Sequence, residues 1–292
     1  MENKQQLVKE FIIEDGIGAQ LWRKIYAMSY AKYHGLVFQD TPITNFLIHE
    51  SDKVSSEEEK QEFIKNFSSI IDNPWKDYNF EDLSNFVLCD KVGAGLPITQ
   101  GIIPSLQNFT KLAPTFSNID GTNNEVVIHI RRGNVIKENP RWIDEDVYIN
   151  LIKSIPGMLD KLNISVNQIS IITDASDSNK LYKPINDDQM HKWNQPYLNR
   201  DENGYFPVTT INFELLKNAV NNVEIYNNLS TYDAFIKMVK AKVLIVSRSA
   251  FSQTAGLLSK HVVIDMFDSH NQFMGSSGIV NRDGTININE GI

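Results

Sequence analysis

The run EVVIHIRRGN at residues 125 to 134 predicts a buried strand that ends in two adjacent arginines. Its first six residues are mostly β-branched and apolar, and such a continuous run indicates a strand covered on both faces, as in a parallel sheet. Arg131 and Arg132 then follow the carboxyl end of the strand, the edge at which open parallel sheets bind ligands. The run therefore predicts both the fold class and the position of a site.

The chain after residue 122 repeats this pattern of short apolar runs separated by helical segments. We expect further strands at 168–173, 223–226, 242–246 and 262–265, and helices at 145–154, 232–241 and 251–259. Strands that alternate with helices indicate a mainly parallel sheet with right-handed crossovers. The second half is thus predicted to be an α/β domain.

The first half begins with its own β-α-β pattern. A strand at 10–13 is expected to enter a glycine loop, then a helix at 19–34 that Gly35 ends and a strand at 36–38. A surface helix is expected within 51–72, and residues 73 to 120 are rich in glycine and proline, which predicts irregular structure. We place the domain boundary near residues 120–122, giving lobes at 1–122 and 123–292.

Composition narrows the function classes. The 292 residues are 41% hydrophobic and 22% charged, as in a globular enzyme, and the formal net charge of −8 disfavours an extended nucleic-acid surface. Cys89 is the single cysteine, so no intramolecular disulfide is possible. No signal-peptide core and no apolar run of membrane-spanning length is found, so we expect a cytoplasmic protein.

The paired arginines suit a polyanionic small ligand, because a guanidinium can hold phosphate through two parallel hydrogen bonds. Arginines in surface ion pairs give the same local pattern, and both interpretations stay open at this point. His129, two residues before Arg131, is compatible with a site residue or with a hydrogen-bonded core residue.

Two other strand ends carry polar groups. Asp174 follows the strand at 168–173 and is able to accept hydrogen bonds from a ribose or a base, or to form a simple turn. Ser249 lies where the strand at 242–246 meets a helix, whose N-terminus is suited to anions and which Ser249 is also able to cap.

Two further motifs are weak. Gly16 and Gly18 suggest a close backbone approach, but they lack the third glycine of a dinucleotide fingerprint. Asp144-Glu145-Asp146 has the Asp-x-Asp form of metal-dependent glycosyltransferases, yet acidic residues are also favoured where a helix begins, and we prefer that explanation.

Together these segments resemble the superfamily of α-1,2-, α-1,6- and protein O-fucosyltransferases. The superfamily motif H-x-R-R-x-D is matched by His129, Arg131 and Arg132, and Asn134 replaces its final acid. The glycine loop followed by Gln20 and the Ser-x-Ser-x-Phe-Ser segment at 247–252 extend the resemblance, although Ala19 stands where the α-1,2 enzymes usually carry Asn.

The resemblance implies a GT-B-like α/β fold of two Rossmann-type lobes with mainly parallel sheets, with the donor mostly in the second lobe and the acceptor across the cleft. It implies an inverting, metal-independent transfer of fucose from GDP-fucose to a glycan, without a cofactor. Because no membrane anchor is found, we expect a bacterial or viral cytoplasmic enzyme rather than the Golgi-tethered form of this class. Arg131 would contact the β-phosphate, Arg132 would support it, and Asp174 would lie near the nucleoside. The donor-binding residues would be Gly16, Gly18, His129, Arg131, Arg132, Asn134, Asp174, Ser249, Phe251 and Ser252.

For the base that accepts the acceptor hydroxyl proton we select Glu14 or Asp15, because the glycine loop would face the cleft. Two alternatives remain. The enzyme would use another sugar nucleotide, or the protein would bind a sugar nucleotide without turnover, as the replacement of the motif acid by Asn134 suggests.

Overall fold

The structure is a computed structural model that describes residues 7–10, 16–44, 56–78, 86–89, 111–132, 135, 137, 142–175, 181–182, 206–207, 210–267 and 276–289. Within these ranges the chain is α/β, and its sheets are mainly parallel, which confirms the predicted class.

The strands are β1 (Leu7–Glu10), β2 (Val37–Gln39), β3 (Phe86–Cys89), β4 (Asn123–Ile130), β5 (Gln168–Thr173), β6 (Leu181–Tyr182), β7 (Phe206–Pro207), β8 (Val223–Tyr226), β9 (Ala241–Val246), β10 (Val262–Met266), β11 (Gly278–Val280) and β12 (Ile286–Ile288). The helices are α1 (Ile17–Tyr33), α2 (Glu57–Ser69), α3 (Glu145–Leu162), α4 (Phe213–Lys217), α5 (Thr231–Val239) and α6 (Ala250–Leu258), with a 3-10 turn at Ala113–Phe116.

Among the described residues, the larger sheet has seven strands in the order β12-β11-β10-β9-β4-β5-β8. Its strands pair in parallel, except for the antiparallel pair of β11 and β12. Six consecutive residues of β4, from Glu125 to Ile130, are buried, because helices cover both faces of this central strand. A smaller parallel sheet has the order β2-β1-β3.

Helices α1, α5 and α6 share one apolar cluster with one face of the large sheet, while α3 packs on the other face. The α1 and α6 helices contact each other closely, and α2 adds Phe63, Ile64 and Phe67 to the same cluster. Side chains before and after residue 122 therefore share a core, and the division at that residue remains a prediction.

Several bounds differ from the sequence predictions. The α3 helix continues to Leu162, although we expected it to end at Ser154 before Pro156. Proline costs the interior of a helix one hydrogen bond, but Ile155 and Met158 beyond that point are buried in the core. Asn163, with a φ of 52°, then ends the helix in the left-handed conformation.

Strand β1 is at Leu7–Glu10, earlier than the predicted 10–13, of which residues 11 to 13 lie outside the described residues. Strand β3 lies in the stretch for which we predicted irregular structure. The hairpin of β11 and β12 was not expected, and its turn packs on α3, where Asn150 Nδ2 donates to the Asp283 carbonyl at 3.1 Å. Within the described part of the chain, no helix is both long enough and apolar enough to cross a membrane.

Candidate functional site

The candidate site lies at the carboxyl edge of the large sheet. Strands β9, β4 and β5 are neighbours in that order, so the residues that follow them meet at one edge. Ser247 follows β9, Arg131 follows β4 and Asp174 follows β5. The three strand ends that the sequence analysis selected are thus brought together.

The two arginines point to opposite faces of the sheet. Successive side chains alternate along a strand: Val127 belongs to the cluster with α1 and α6, whereas Val126 and Ile128 belong to the cluster with α3. Continued to the end of the strand, this alternation places Arg131 on the α1 and α6 side and Arg132 on the α3 side. The sequence motif makes them neighbours, but the strand separates their environments.

Arg131 is paired with Asp174 across the strand ends. The Nη1 of Arg131 donates to Oδ2 of Asp174, and the backbone N–H of Arg132 donates to Oδ1 of the same carboxylate at 2.6 Å. The side chains of Arg131 and Asp174 are 22% and 18% exposed. A guanidinium that is fixed but still accessible to solvent is suited to an anionic ligand.

Arg132 is enclosed by protein, with 1% of its surface exposed. Its Nη2 donates to the Ile143 carbonyl at 2.5 Å, and its Cζ lies 4.1 Å from the centre of the Trp142 ring and 5.2 Å from that of Tyr148. Burial lowers the pKa of the Arg132 guanidinium and raises the pKa of Tyr148 to about 12. Arg132 therefore links the end of β4 to the start of α3, a position compatible with its predicted supporting role.

His129 is a buried, uncharged member of the site. Burial, together with the positive charge of Arg131, lowers its pKa to about 3. Its Nδ1 lies 2.7 Å from Ser247 Oγ, and its ring centre lies 6.0 Å from that of Phe251. The ring thus connects β4 to the segment between β9 and α6 without carrying a charge near neutral pH.

The segment that precedes α6 is held by its own serines. Ser252 Oγ accepts the Ser247 N–H at 3.2 Å and lies 3.3 Å from Ser247 Oγ. Ser249 occupies the N-cap position of α6, but its side chain makes no capping hydrogen bond with any described residue. Ser249 therefore occupies the position predicted for a helix cap, but its side chain does not form the hydrogen bond of a cap.

The N-terminus of α1 lies beside the N-terminus of α6. Gly16 is the N-cap residue of α1, and Gly18 in its first turn is buried against the backbone of Phe251. Thr254 Oγ1 donates to the Gly18 carbonyl at 2.7 Å. Two helix N-termini, each with a positive dipole end, thus lie near the strand end that carries Arg131.

Three predicted site residues, Glu14, Asp15 and Asn134, lie outside the described residues. The structure therefore gives no position for the two candidate bases or for the asparagine that replaces the motif acid. Within the site, sequence reasoning named Ser247 only as part of a segment and did not single out Trp142 or Thr254. Trp142 lies ten positions after Arg132, and no sequence pattern indicated that the two side chains stack. Their contact depends on where α3 begins.

The Asp-x-Asp motif begins α3, with Glu145 and Asp146 in its first turn, although the Asp144 side chain makes no capping hydrogen bond with a described residue. Asp144 is the N-cap residue, and its Oδ1 accepts a hydrogen bond from the Trp142 indole N–H at 2.9 Å. Among the residues that the structure describes, no group of three or more His, Cys, Asp or Glu side chains is arranged to hold a metal ion.

No protein-family model matches the sequence, and no curated protein matches it. Solved structures of fucosyltransferases, the class that the motifs resemble, are similar to it. A NodZ α-1,6-fucosyltransferase soaked with GDP-fucose is 10% identical, with a TM-score of 0.35, over 98% of this chain and 99% of that chain. The fucosyltransferase NodZ from Bradyrhizobium is 12% identical, with a TM-score of 0.35, over the same shares. POFUT1 in complex with GDP is 11% identical, with a TM-score of 0.36, over 91% of this chain and 99% of that chain. A likeness at this level assigns neither an activity nor the role of a residue.

Proposed function

We propose that this protein is a glycosyltransferase that binds the diphosphate of a sugar nucleotide at Arg131 and the N-terminus of α6. The observation that carries the proposal is the position of Arg131, partly exposed at the carboxyl edge of the sheet, where the neighbouring strand β9 leads into the N-terminus of α6. The N-terminus of α1 lies against that of α6, with Gly18 at the backbone of Phe251. In a chain with a net charge of −8, a partly exposed guanidinium beside a helix N-terminus is suited to a small polyanion rather than to an extended nucleic acid.

The chemistry follows from the charge that develops when a sugar leaves its nucleotide. Cleavage of the sugar–phosphate bond leaves negative charge on the diphosphate, and a positioned guanidinium stabilises that charge without a metal. We propose that the acceptor hydroxyl attacks the opposite face of the sugar, which inverts the anomeric centre. Glu14 or Asp15 is our candidate for the base that accepts the hydroxyl proton.

The preferred donor is GDP-fucose and the acceptor a glycan, on the strength of the motif at residues 129 to 134 and the segment at 247–252. We assign the donor to a GT-B-like second lobe, residues 123–292, and the acceptor to residues 1–122. A different sugar nucleotide is the nearest alternative, because the arginine and the helix N-termini recognise phosphate and not the sugar ring. Cytoplasmic location also remains a prediction.

Ligand-linked thermal stability tests the proposal. A ligand at 100 times its dissociation constant stabilises the folded state by about 2.7 kcal/mol. We expect GDP or GDP-fucose to raise the melting temperature selectively over UDP and ADP, equally with and without EDTA, and we expect Arg131→Ala to abolish the effect. Lys260→Ala is the matched control, because Lys260 is a cation in an exposed ion pair with Asp120.

A preference for UDP would replace the donor, and dependence on metal would remove the metal-independent mechanism. The absence of any nucleotide response would contradict the proposed site.

The non-catalytic alternative is separated by turnover. We expect the unmodified protein to release GDP from GDP-fucose in the presence of a suitable acceptor, and slowly by hydrolysis without one. A protein that binds the donor but releases GDP only after Asn134→Asp would be a sugar-nucleotide-binding protein in which the loss of the motif acid has removed activity.

A further inference from the structure

We infer that Asp174 is a positioning residue that fixes the guanidinium of Arg131 in the orientation that receives the donor diphosphate. This role differs from contact with the nucleoside, and it rests on the proposed function of Arg131. The inference comes from the way in which one carboxylate bonds two consecutive residues of the neighbouring strand end.

The two oxygens of Asp174 have different partners. Oδ2 accepts from the Arg131 side chain, and Oδ1 accepts from the backbone N–H of Arg132 at 2.6 Å. The carboxylate thereby fixes both the path of the chain after β4 and the head of the Arg131 side chain. A nucleoside contact would need carboxylate oxygens directed at the ligand, whereas both of these are directed at β4.

Asp174 is itself held in place by the sheet. Strands β4 and β5 are in register, with Ile130 opposite Thr173, so Arg131 and Asp174 follow the last paired rung on adjacent strands. Thr173 Oγ1 accepts the Ala175 N–H at 3.0 Å and fixes the turn around Asp174. The carboxylate is therefore attached to a rigid element, as a positioning group requires.

Two effects of the Asp174 charge oppose each other. Holding a long, flexible side chain in one orientation lowers the entropy that it loses when it binds phosphate. A carboxylate near a phosphate site also repels the anion. The sign of the change in affinity after the charge is removed shows which effect dominates, and a positioning role requires weaker binding.

The test compares GDP with guanosine by isothermal titration calorimetry on the wild type, Asp174→Asn, Arg131→Ala and the double variant. We expect Asp174→Asn to weaken GDP binding by roughly tenfold, the value of one charge-assisted hydrogen bond, and to leave guanosine binding unchanged. In the Arg131→Ala background the same change should not weaken GDP binding further, because the guanidinium that Asp174 positions is absent and only its repulsion of the anion remains. Asp120→Asn is the matched control, since that carboxylate is 90% exposed and pairs with Lys260.

A second measurement needs no nucleotide. The rate at which an arginine-specific dicarbonyl reagent modifies Arg131, followed by peptide mass spectrometry on the ligand-free protein, should rise several-fold in Asp174→Asn and stay at the wild-type rate in Asp120→Asn. If the wild type binds no nucleotide, the proposed function fails while this rate still decides whether Asp174 holds Arg131.

Three results would overturn the inference. They are unchanged or tighter binding of GDP by Asp174→Asn, an equal loss of guanosine and GDP binding, and an unchanged modification rate at Arg131. Melting curves of each variant, with far-ultraviolet circular dichroism, separate these results from a loss of folding.

Discussion

Replacement of Gly18 by alanine tests the contact that joins the first helix to the candidate site. An ideal Cβ at Gly18 would lie 2.6 Å from the Phe251 Cα and 3.0 Å from the Phe251 backbone nitrogen. These are backbone atoms, which cannot rotate away as the end of a side chain can. The substitution therefore forces α1 and α6 apart at the point where Thr254 bonds the Gly18 carbonyl.

The magnitude follows from two opposing terms. Extra volume in a packed core costs about 1 to 3 kcal/mol, while alanine is favoured over glycine within a helix by up to about 1 kcal/mol. We expect a net loss of roughly 1 to 2 kcal/mol in the free energy of unfolding, measured by urea denaturation, and a weaker stabilisation by GDP.

Gly157 provides the matched control for the same substitution. It lies in α3, where an added Cβ would meet no atom within 4 Å. Gly157→Ala should therefore stabilise the protein by about 0.5 to 1 kcal/mol, because only the helix propensity and the entropy of the unfolded chain change. If Gly18→Ala were as stable as Gly157→Ala, the close packing of α1 on α6 would be wrong.

Three further predictions concern buried polar groups. Arg132→Lys should lower the free energy of unfolding in urea by about 2 to 4 kcal/mol, because lysine cannot both stack on Trp142 and reach the Ile143 carbonyl; wild-type stability would refute the enclosed position of Arg132. The folded-state pKa of His129 is about 3, below its ordinary value of 6.5, so the unfolded chain binds the extra proton between these pH values and stability falls as pH falls. His129→Gln should reduce the slope of the free energy of unfolding against pH, measured by denaturation from pH 4 to 6, by at most about 1.4 kcal/mol per pH unit. An unchanged slope would contradict the lowered pKa of His129. Lys237→Met should cost about 3 kcal/mol because it leaves the buried Glu125 carboxylate with only neutral hydrogen-bond donors, from Asn123 and Ser170, and Glu125→Gln should cost less because the Lys237 side chain is 19% exposed. The double variant should cost less than the sum of the two in a double-mutant cycle; additive costs would show that the pair is not coupled.

The interior of the large sheet could be predicted from the sequence because its strands β4, β5, β9 and β10 are apolar runs that are largely buried. The strands at 168–173 and 223–226 both have the predicted bounds. The first is a buried apolar run, whereas the second was expected to be buried and is a partly exposed strand at the edge of the sheet. Long-range packing decided the features that were missed. The end of α3 depends on the burial of Ile155 and Met158 beyond Pro156, and the hairpin of β11 and β12 depends on its turn packing against α3.

The location of the candidate site could be predicted from the sequence, but the hydrogen-bond partners of its side chains could not. Strand ends locate Arg131, Asp174 and the start of α6 at one edge, because parallel strands share that edge. The partner of each side chain depends on the register between neighbouring strands, which the sequence does not give. The sequence alone could not show that Asp174 bonds both Arg131 and the backbone of Arg132, because 42 residues separate Asp174 from Arg132.

Side chains alternate between the two faces of a strand, and this explains why the adjacent Arg131 and Arg132 lie in different environments. Arg131 continues the face of His129 and stays partly exposed, whereas Arg132 continues the opposite face and is buried under Trp142. Since burial keeps His129 neutral, its titration adds no charge beside Arg131 near neutral pH. An exchange of the two environments would need a one-residue shift of β4, which would also move every apolar side chain of the strand to the wrong cluster. The position of Arg131 at the proposed diphosphate site is therefore fixed by the same register that buries the core.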